Sequence, residues 1–383
     1  MSVPKEECAN RIALVRNKME KSGIDGIIVT DPLNFYYFTG QKVPVWMRSR
    51  PVILVLPLES EPTVIDWSGP GMFARLYQKP YPNWVERRHI YPEIPVQHDT
   101  PVDWGVASLV QEAGLERKTI GIELGYETRL NLAIEDFELI KKQLPNVSWV
   151  DYGPVVWGCR MVKSEWEITN IRKACKIGGD AWSTILDELH TGISVLEIKK
   201  RMLGLYVELG ADLDSTAQIV LGATGPNETF QKGDILYLDG GCQVNGYRMD
   251  FTRRAVFGPP TQRQLDEHNG MWEILFKLVD RMKPGVETRN IFEYSQSLLA
   301  KTEWTNYSDH PAKRIGHGIG LSSEPPYLNA FDKNVLETGM SLTPEPKIEV
   351  NEGLLNPEEH VIIGKAGAEI ISTNPSWELR VVE

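Results

Sequence analysis

The stretch GDILYLDGGCQVNGYRMDFTRR, residues 233–254, has the pattern of two strands joined by a hairpin. Strand-forming residues lead up to Asp239, Asn245-Gly246 is a strong hairpin-turn signal, and the extended pattern resumes around Asp250. An acid among strand residues costs desolvation energy unless a partner compensates it. Two acids that converge across one hairpin repel each other unless a cation lies between them. The stretch therefore predicts that Asp239 and Asp250 are metal ligands. The alternative is a pair of solvated acids on an edge strand.

The composition is that of a globular protein, with 42% hydrophobic and 24% charged residues over 383 positions. This length predicts two domains, or three, with enough apolar residues for separate cores. The net charge of −11, without a basic cluster, argues against nucleic acid and anionic membranes as partners. We expect a cytoplasmic protein, because there is no signal-peptide core and no apolar run of membrane-spanning length. The 4 cysteines lack metal-binding or disulfide spacing, which fits reduced thiols in that compartment.

The first part of the chain, residues 1–158, alternates between helix and strand patterns. The segments GIIVTD, PVILVLP, TVIDW and KTIGIEL have the composition of strands, whereas ASLVQEAG and LAIEDFELIKKQLP have helical periodicity. This alternation predicts an α/β domain with a mixed sheet. No glycine-rich phosphate-binding loop follows any of these strands, so the pattern gives no support to a nucleotide site.

The remaining residues, 159–383, are predicted to form a second domain in which one plan occurs twice. Capping-box patterns at Ser164 and Ser194 open a long helix and then a shorter one. After the acidic hairpin, a similar pattern at Thr261 opens another long helix, and a shorter helix follows it. The segments HTGIS and KPGVET join the two helices of each pair. We therefore predict an internal duplication whose halves each send strands toward a shared centre.

Three further stretches in this second part offer metal ligands. RIGHGIGL places His317 between glycines, where the backbone can approach a neighbour closely. GMSLTPEPKIE places Glu345 at a strand end between two prolines, and Glu358-Glu359 precede the apolar segment HVII. Taken singly, each has an ordinary explanation, a structural histidine in a glycine loop or an acid in a turn. Together with the two aspartates, they predict a metal site.

The ordered motifs LDGG…MDFTRR, GHGIGL, TPEPKIE and EEHVII resemble those of the creatinase, prolidase, aminopeptidase P and methionine aminopeptidase family. The resemblance covers nearly the whole chain. It implies a creatinase-like N-terminal α/β domain over residues 1–158 and a duplicated pita-bread catalytic domain over residues 159–383. It also implies two divalent metal ions held by five side chains, those of Asp239, Asp250, His317, Glu345 and Glu358.

The resemblance further implies a division of roles among these side chains. Asp250 and Glu358 would bridge the two ions, and Glu345 would also act as general base. Glu359 is the second choice for the last ligand position.

The residue types fit metal-assisted hydrolysis. Four carboxylates and one imidazole make a hard, oxygen-rich site suited to Mn²⁺ or Co²⁺, with Zn²⁺ or Fe²⁺ as alternatives. Two such ions lower the pKa of a shared water and hold the carbonyl oxygen of a scissile amide, and a carboxylate can move the proton to the leaving nitrogen. We therefore expect a metallohydrolase that cleaves a C–N bond in a small molecule or a short peptide. For this two-domain arrangement, the resemblance makes Xaa-Pro cleavage the commonest activity.

The chain departs from the peptidases that it resembles in the residues around the metals. The loop GATGPNETFQKGD has no histidine where they carry a Pro-His pair, Lys313 and Ser323 stand where they carry histidines, and Asn356 stands where they carry an arginine. Two alternatives therefore stay open. One is a family member that acts on a small metabolite, as a creatinase-like hydrolase or a lyase. The other is a non-catalytic binding protein, although burying four carboxylates without a metal would be costly.

Substrate-binding residues are harder to predict than ligands. Lys313 is a cation near the predicted site, suited to a substrate carboxylate, but it is equally well a solvated surface lysine. Relatives often dimerise so that the region after NFYYFTG approaches the partner's active site. The resemblance therefore implies a homodimer in which Trp46 or Arg48 lines the substrate pocket, with ordinary surface positions as the alternative. His310 is a candidate proton shuttle on proximity alone.

Overall fold

A computed structural model describes residues 2–43, 50–66, 82–91, 101–216, 218–221, 228–308, 313–350, 353–372 and 374–383 of the protein. The chain forms two compact units, Met1–Arg160 and Met161–Glu383. The domain boundary that we predicted after residue 158 stays a prediction. Among the described residues, no helix has both the length and the apolar character needed to cross a membrane. The four cysteines, all among the described residues, are buried and form no disulfide.

The first unit alternates helices and strands as predicted. Its elements in chain order are α1 (Lys5–Ser22), β1 (Gly26–Val29), α2 (Pro32–Thr39), β2 (Ile53–Pro57), β3 (Thr63–Asp66), β4 (Arg87–Ile90), α3 (Val106–Glu112), β5 (Thr119–Ile122), α4 (Ile134–Gln143), β6 (Ser148–Asp151) and α5 (Gly153–Arg160).

The strands of the first unit form one mixed sheet in the order β4-β3-β2-β1-β5-β6. Strand β1 pairs antiparallel with β2 and parallel with β5. All residues of β1 and β2 are buried, as expected for apolar strands at the centre of a sheet. Local signals fix the helix ends, because Gly23 ends α1 in the left-handed conformation and the Asp31 carboxylate accepts the first free backbone N–H groups of α2. The predicted mixed sheet is confirmed.

The described residues of the second unit form two helix pairs and sheets of two, four, three and five strands. Its elements are α6 (Glu165–Glu188), α7 (Val195–Glu208), β7 (Gln218–Leu221), β8 (Ile235–Asp239), β9 (Gln243–Val244), β10 (Tyr247–Arg248), β11 (Thr252–Phe257), α8 (Gln262–Arg281), α9 (Thr288–Leu299), β12 (Thr305–Asn306), β13 (Gly316–Ile319), β14 (Ser323–Tyr327), β15 (Ser341–Pro344), β16 (Ile348–Val350), β17 (Gly353–Leu355), β18 (Val361–Ile363), β19 (Ala368–Ile370) and β20 (Arg380–Val382).

The helix starts of this unit follow from local sequence. Full capping boxes open α6 at Ser164, α7 at Ser194 and α8 at Thr261. In each box, the capping residue just before the helix and the third helical residue exchange hydrogen bonds between side chain and backbone. Each long helix is followed by a shorter one, α6 by α7 and α8 by α9. The three predicted capping boxes are confirmed.

Two sheets of the second unit carry the predicted ligands. One has the strand order β20-β11-β8-β7 and the other the order β14-β13-β15-β18-β19. In the first sheet, β8 and β11 pair antiparallel with Asp239 opposite Thr252. In the second, β13 lies between β14 and β15 and is antiparallel to both. The buried apolar residues behind the second sheet come mainly from α8, α9 and the strands themselves.

The acidic hairpin is more elaborate than a single turn. Gly240 and Gly241, both with positive φ, end β8, and a second short hairpin of β9 and β10 lies between β8 and β11. Asn245 and Gly246 form its turn with φ values of 50° and 82°, as the Asn-Gly pair predicts. The Asp212 carboxylate accepts the backbone N–H groups of both turn residues. The strands that flank Asp239 and Asp250 thus pair directly, while the Asn-Gly turn belongs to the inserted hairpin.

Candidate metal centre

The five side chains that the sequence predicts as ligands meet in one cleft of the second unit, with a volume of about 430 Å³. They come from both sheets, and each lies in a strand or close to its end. Asp239 ends β8, Asp250 precedes β11, His317 lies within β13, Glu345 follows β15 and Glu358 precedes β18.

The imidazole of His317 is held in a tautomer that suits a metal ligand. Its Nδ1–H donates to the carbonyl oxygen of Gly318 over 2.9 Å, so Nε2 carries the lone pair that can bind a metal. That Nε2 atom lies 3.5 Å from Oδ2 of Asp250. Burial lowers the pKa of His317, which favours the neutral form that binds metals.

Glycines allow the strand of His317 to fit between its neighbours. A Cβ atom on Gly316 would lie 2.6 Å from the carbonyl oxygen of Thr343 in β15, and one on Gly318 would lie 2.4 Å from the carbonyl oxygen of Pro325 in β14. The close backbone approach that we expected around His317 is therefore confirmed.

Three of the predicted ligands are close enough to share one ion. Asp250, His317 and Glu358 each offer a ligand atom, and these atoms lie within 4.8 Å of one another. Asp239 and Glu345 line the same cleft. Carboxylate oxygens with one imidazole nitrogen form a donor set for a divalent transition metal ion.

The electrostatics of the cleft also favour a bound cation. Burial, followed by the charge of Glu345, raises the pKa of Asp239 to about 7. Burial and the neighbouring carboxylates raise the pKa of Asp250 and of Glu358 well above the ordinary range. Carboxylates crowded in this way repel one another, and a divalent ion removes that repulsion. The residues present therefore fit a divalent metal ion.

The geometry separates Glu358 from its neighbour Glu359. Glu358 lines the cleft, whereas Glu359 forms a buried ion pair with Arg253 over 3.2 Å and accepts the hydroxyl of Ser372. The carboxylate of Glu359 is thus already neutralised by a side chain. This supports Glu358 as the ligand candidate at the last position.

A hydrogen-bonded chain fixes the backbone that carries Glu358. Its N–H donates to Thr252 Oγ1 over 2.9 Å, and that hydroxyl donates to the carbonyl oxygen of Asn356 over 3.1 Å. The Asn356 side chain in turn donates to Oε2 of Glu345 over 3.3 Å. Thr252 therefore links the strand of Asp239, which it faces in the ladder, to the backbone of Glu358.

Four residues at or beside the cleft did not emerge from the sequence as site residues. His360 accepts the backbone N–H of Asp250 at Nδ1 over 3.3 Å, and its Nε2 lies 2.8 Å from Ser341 Oγ. Arg248, Arg314 and Lys347 line the cleft. A usable signal for two of these basic residues was their spacing, because Arg248 and Lys347 lie two positions from Asp250 and Glu345 and so share a face in an extended chain.

The remaining predicted site residues have mixed placements. Lys313 is not among the described residues that line the cleft, and its Nζ lies 3.4 Å from the ring centroid of Tyr307. Its role in substrate binding stays a prediction. Trp46, Arg48 and His310 lie outside the described residues.

Fold and site together define a class, an α/β protein of two units whose second unit carries a carboxylate-rich candidate centre for a divalent metal. The model of metallopeptidase family M24 matches residues 169–373, and that of the creatinase/prolidase N-terminal domain matches residues 11–162. The chain therefore belongs to metallopeptidase family M24. The expected resemblance and the expected enzyme class, a metallohydrolase, are confirmed.

Individual proteins of known name agree with this assignment. The chain is 25% identical to an Xaa-Pro dipeptidase of Pyrococcus horikoshii, over 92% of this chain and 93% of the relative. It is 24% identical to an ectoine hydrolase of Halomonas elongata, over 97% and 96%. The crystal structure of a dipeptidase from Mycobacterium ulcerans superposes with a TM-score of 0.81 at 21% identity, with full coverage of both chains. The expected creatinase-like N-terminal domain and pita-bread domain are thereby confirmed.

Proposed function

We propose that the protein is a hydrolase dependent on two divalent metal ions that cleaves an amide C–N bond in a short peptide or a small molecule. The observation that carries this proposal is the group of Asp250, His317 and Glu358, whose ligand atoms lie within 4.8 Å of one another. Asp239 and Glu345 in the same cleft would complete a site for the second ion. Mn²⁺ and Co²⁺ suit this donor set first, with Zn²⁺ and Fe²⁺ as alternatives.

Bound ions would supply Lewis acidity, which polarises the substrate carbonyl and makes water a nucleophile at neutral pH. Glu345 would act as general base and take a proton from the attacking water. The water oxygen bonds to the carbonyl carbon, the C–N bond breaks, and Glu345 returns the proton to the leaving nitrogen. The products are one carboxylic acid and one amine.

The chain's own contacts orient that base. Lys347 Nζ lies 2.9 Å from Oε2 of Glu345, and the Asn356 amide donates to the same oxygen. The Gly318 carbonyl holds the ring of His317, and the ring of His360 accepts the backbone N–H of Asp250, so further groups position both proposed ligands.

The substrate class is proposed from two directions. The chemistry of the cleft suits a compact amide, and the named relatives include an Xaa-Pro dipeptidase and an ectoine hydrolase. We propose a cytoplasmic homodimer in which Trp46 or Arg48 approaches the partner's site and Lys313 lies near the substrate. The molecular mass in solution tests the dimer. Replacing each of the three residues singly by alanine and measuring KM tests whether they lie near the substrate.

The test of hydrolysis uses protein loaded with Mn²⁺ or Co²⁺, incubated with Xaa-Pro dipeptides and with small guanidino, lactam and betaine-type metabolites in ¹⁸O-labelled water. We expect one ¹⁸O atom in the acid product. A product formed without label indicates a lyase, and a purified protein that binds no metal indicates a binding protein.

The matched variants are Glu345→Gln and Glu349→Gln, which remove one carboxylate each from the same segment. Glu345→Gln should lower kcat by roughly 10²-fold or more, because the general base is lost. Glu349, which is exposed, serves as the control and should leave kcat unchanged. Activity that survives Glu345→Gln contradicts the assigned mechanism.

A further inference from the structure

The buried hydroxyl of Tyr237 lies behind the proposed general base. Tyr237 belongs to β8, two residues before Asp239, and is 4% exposed. Its hydroxyl donates to the carbonyl oxygen of Asn356 and accepts the backbone N–H of the same residue over 3.1 Å. A buried tyrosine hydroxyl needs a hydrogen-bond partner, and here both backbone groups of one residue supply it. Strand β8 therefore holds the backbone of Asn356 in place.

Asn356 lies at the open end of the hairpin that β16 and β17 form. It directly follows Leu355, which pairs with Ile348, and Lys347 directly precedes Ile348. The side chains of Asn356 and Lys347 both reach Oε2 of Glu345, over 3.3 Å and 2.9 Å. Two donors on one oxygen restrict the rotation of a carboxylate. The open end of this hairpin thus sets the orientation of the proposed base.

The ring of Tyr237 packs in the apolar cluster that supports the same hairpin. The other buried members of this cluster come from the hairpin and from α8 and α9, and they are Ile348, Leu355, Met271, Ile274 and Leu299. The ring contributes packing, whereas the hydroxyl contributes the hydrogen bonds to Asn356. Replacing Tyr237 with phenylalanine therefore removes the hydrogen bonds and keeps the packing.

We infer that Tyr237 is a positioning residue for the general base, because its hydroxyl acts through Asn356 on the orientation of the Glu345 carboxylate. This inference rests on the proposed hydrolysis and adds a residue that is not among the described residues lining the cleft. A base that is turned away from its working position lowers the rate of the chemical step, whereas the binding of substrate is unchanged.

Thr252 separates this role from the support of the metal ligands. Its hydroxyl donates to the same Asn356 carbonyl oxygen and accepts the backbone N–H of Glu358. Glu358 therefore keeps its own hydrogen bond when the hydroxyl of Tyr237 is removed. The metal content of a Tyr237→Phe variant, by elemental analysis, should be that of the wild type.

A set of variants tests the inference on the Co²⁺-loaded protein. It consists of Tyr237→Phe, Asn356→Leu and the double variant. Tyr91→Phe is the matched control, because it removes a buried hydroxyl that donates to a backbone carbonyl oxygen, that of Pro51, over 2.9 Å in the first unit. The readouts are the hydrolysis of glycyl-L-proline, the visible absorption spectrum of the bound Co²⁺ and denaturation in urea.

Tyr237→Phe should lower kcat and kcat/KM equally, by about tenfold, and should alter the Co²⁺ spectrum because Glu345 is also a proposed ligand. The double variant should have the kcat and the spectrum of Asn356→Leu alone, since no amide is left for Tyr237 to position. Its urea midpoint should still fall below that of Asn356→Leu, because the backbone of residue 356 loses its hydrogen bonds in either background. Tyr91→Phe should lower the urea midpoint and leave kcat and the spectrum unchanged.

A purely structural role for Tyr237 gives a different pattern. If Tyr237→Phe lowers kcat by the same factor in the wild type and in Asn356→Leu, the hydroxyl does not act through Asn356 and the inference is wrong. Wild-type kcat and spectrum in Tyr237→Phe overturn it as well. So does a Tyr237→Phe protein that does not fold, since the hydroxyl then serves the fold rather than the base.

The outcomes distinguish this inference from the proposed function. Spectral changes in the expected pattern, in a protein that does not hydrolyse glycyl-L-proline, support the positioning of Glu345 and count against peptide hydrolysis. Hydrolysis of the dipeptide with an unchanged kcat in Tyr237→Phe supports the hydrolase and removes the role of Tyr237.

Discussion

Nε2 of His317 lies 3.5 Å from Oδ2 of Asp250, although His317 lies in a strand of one sheet and Asp250 just before a strand of another. Asp250 leads into β11 of the four-stranded sheet, and His317 lies in β13 of the five-stranded sheet. A ligand pair of this kind forms when both sheets have folded and met. The candidate centre is therefore a property of the whole second unit rather than of one hairpin.

Replacing Glu358 with glutamine should have opposite effects with and without metal. In the metal-free protein, Glu358→Gln removes one of several repelling carboxylates, so the free energy of unfolding should rise. With Mn²⁺ present, the wild type should gain stability and the variant should gain much less, because a ligand is lost. Chemical denaturation at several Mn²⁺ concentrations measures both effects.

Glu359→Gln is the matched control for that experiment. It breaks the buried pair with Arg253 and should cost roughly 3 kcal/mol whether or not metal is present. A Glu358→Gln variant that binds Mn²⁺ like the wild type contradicts the ligand assignment.

The pH dependence of stability should carry the signature of Asp239. Its pKa in the folded protein, raised to about 7 by burial and then by Glu345, lies above the ordinary value of about 3.9. The folded state then binds the proton of Asp239 more tightly than the unfolded state. The stabilisation from this proton is fully present below about pH 4 and is lost as the pH rises toward 7. Metal-free wild type should therefore lose stability relative to Asp239→Asn across this interval.

Thermal unfolding of the two metal-free proteins between pH 4 and pH 8 measures this difference. Saturating Mn²⁺ should reverse its sign, because the metal binds the ionised carboxylate. A constant difference between the two proteins across the interval would show that the pKa of Asp239 is not raised in the folded protein.

His360 is expected to act by positioning Asp250. The ring Nδ1 accepts the Asp250 N–H, and asparagine can place an acceptor oxygen at the same distance from the backbone whereas leucine cannot. His360→Leu should weaken Mn²⁺ binding about tenfold or more, and His360→Asn should restore most of it. Titration calorimetry measures the affinities. Equal affinities for the two variants would show that the hydrogen bond to Asp250 does not matter.

Gly246 should resist substitution because of its backbone conformation. At a φ of 82° an added Cβ is strained, so Gly246→Ala should lower the free energy of unfolding by about 1 kcal/mol. Gly204, inside α7 and without atoms near its Cβ position, is the matched control, and Gly204→Ala should raise stability by about 0.5 kcal/mol or more. Urea denaturation measures the free energy of unfolding of both variants, and changes of the same sign in the two variants would contradict this prediction.

Local sequence was sufficient for much of the fold. Ser164, Ser194 and Thr261 each specify a helix start through a contact three residues away, and Asn245-Gly246 specify a turn through their own backbone preferences. Acids at the ends of apolar strands pointed to the candidate ligands for a similar reason, since burial of a carboxylate is unfavourable wherever the strand leads.

Contacts between distant segments explain what the sequence did not reveal. His360 is recognisable as a support for Asp250 once β18 and β11 have known positions, because 110 residues separate the two. The choice of Glu358 over Glu359 as the candidate ligand likewise depends on the position of Arg253, which pairs with Glu359. Arg314 and Lys347 look like ordinary surface cations in the sequence. They are recognisable as site residues once the cleft between the two sheets is known.

The spread of the proposed ligands along the chain has a consequence for synthesis on the ribosome. Asp239 and Asp250 leave the ribosome long before Glu358, and β11 also pairs with β20, where Phe257 lies opposite Val382. During that interval the first acids lack both the later proposed ligands and their complete sheet. The nascent second unit must therefore pass through a stage in which its apolar strands are exposed and its carboxylates are hydrated, and the proposed metal site can be complete only after Glu358 has emerged.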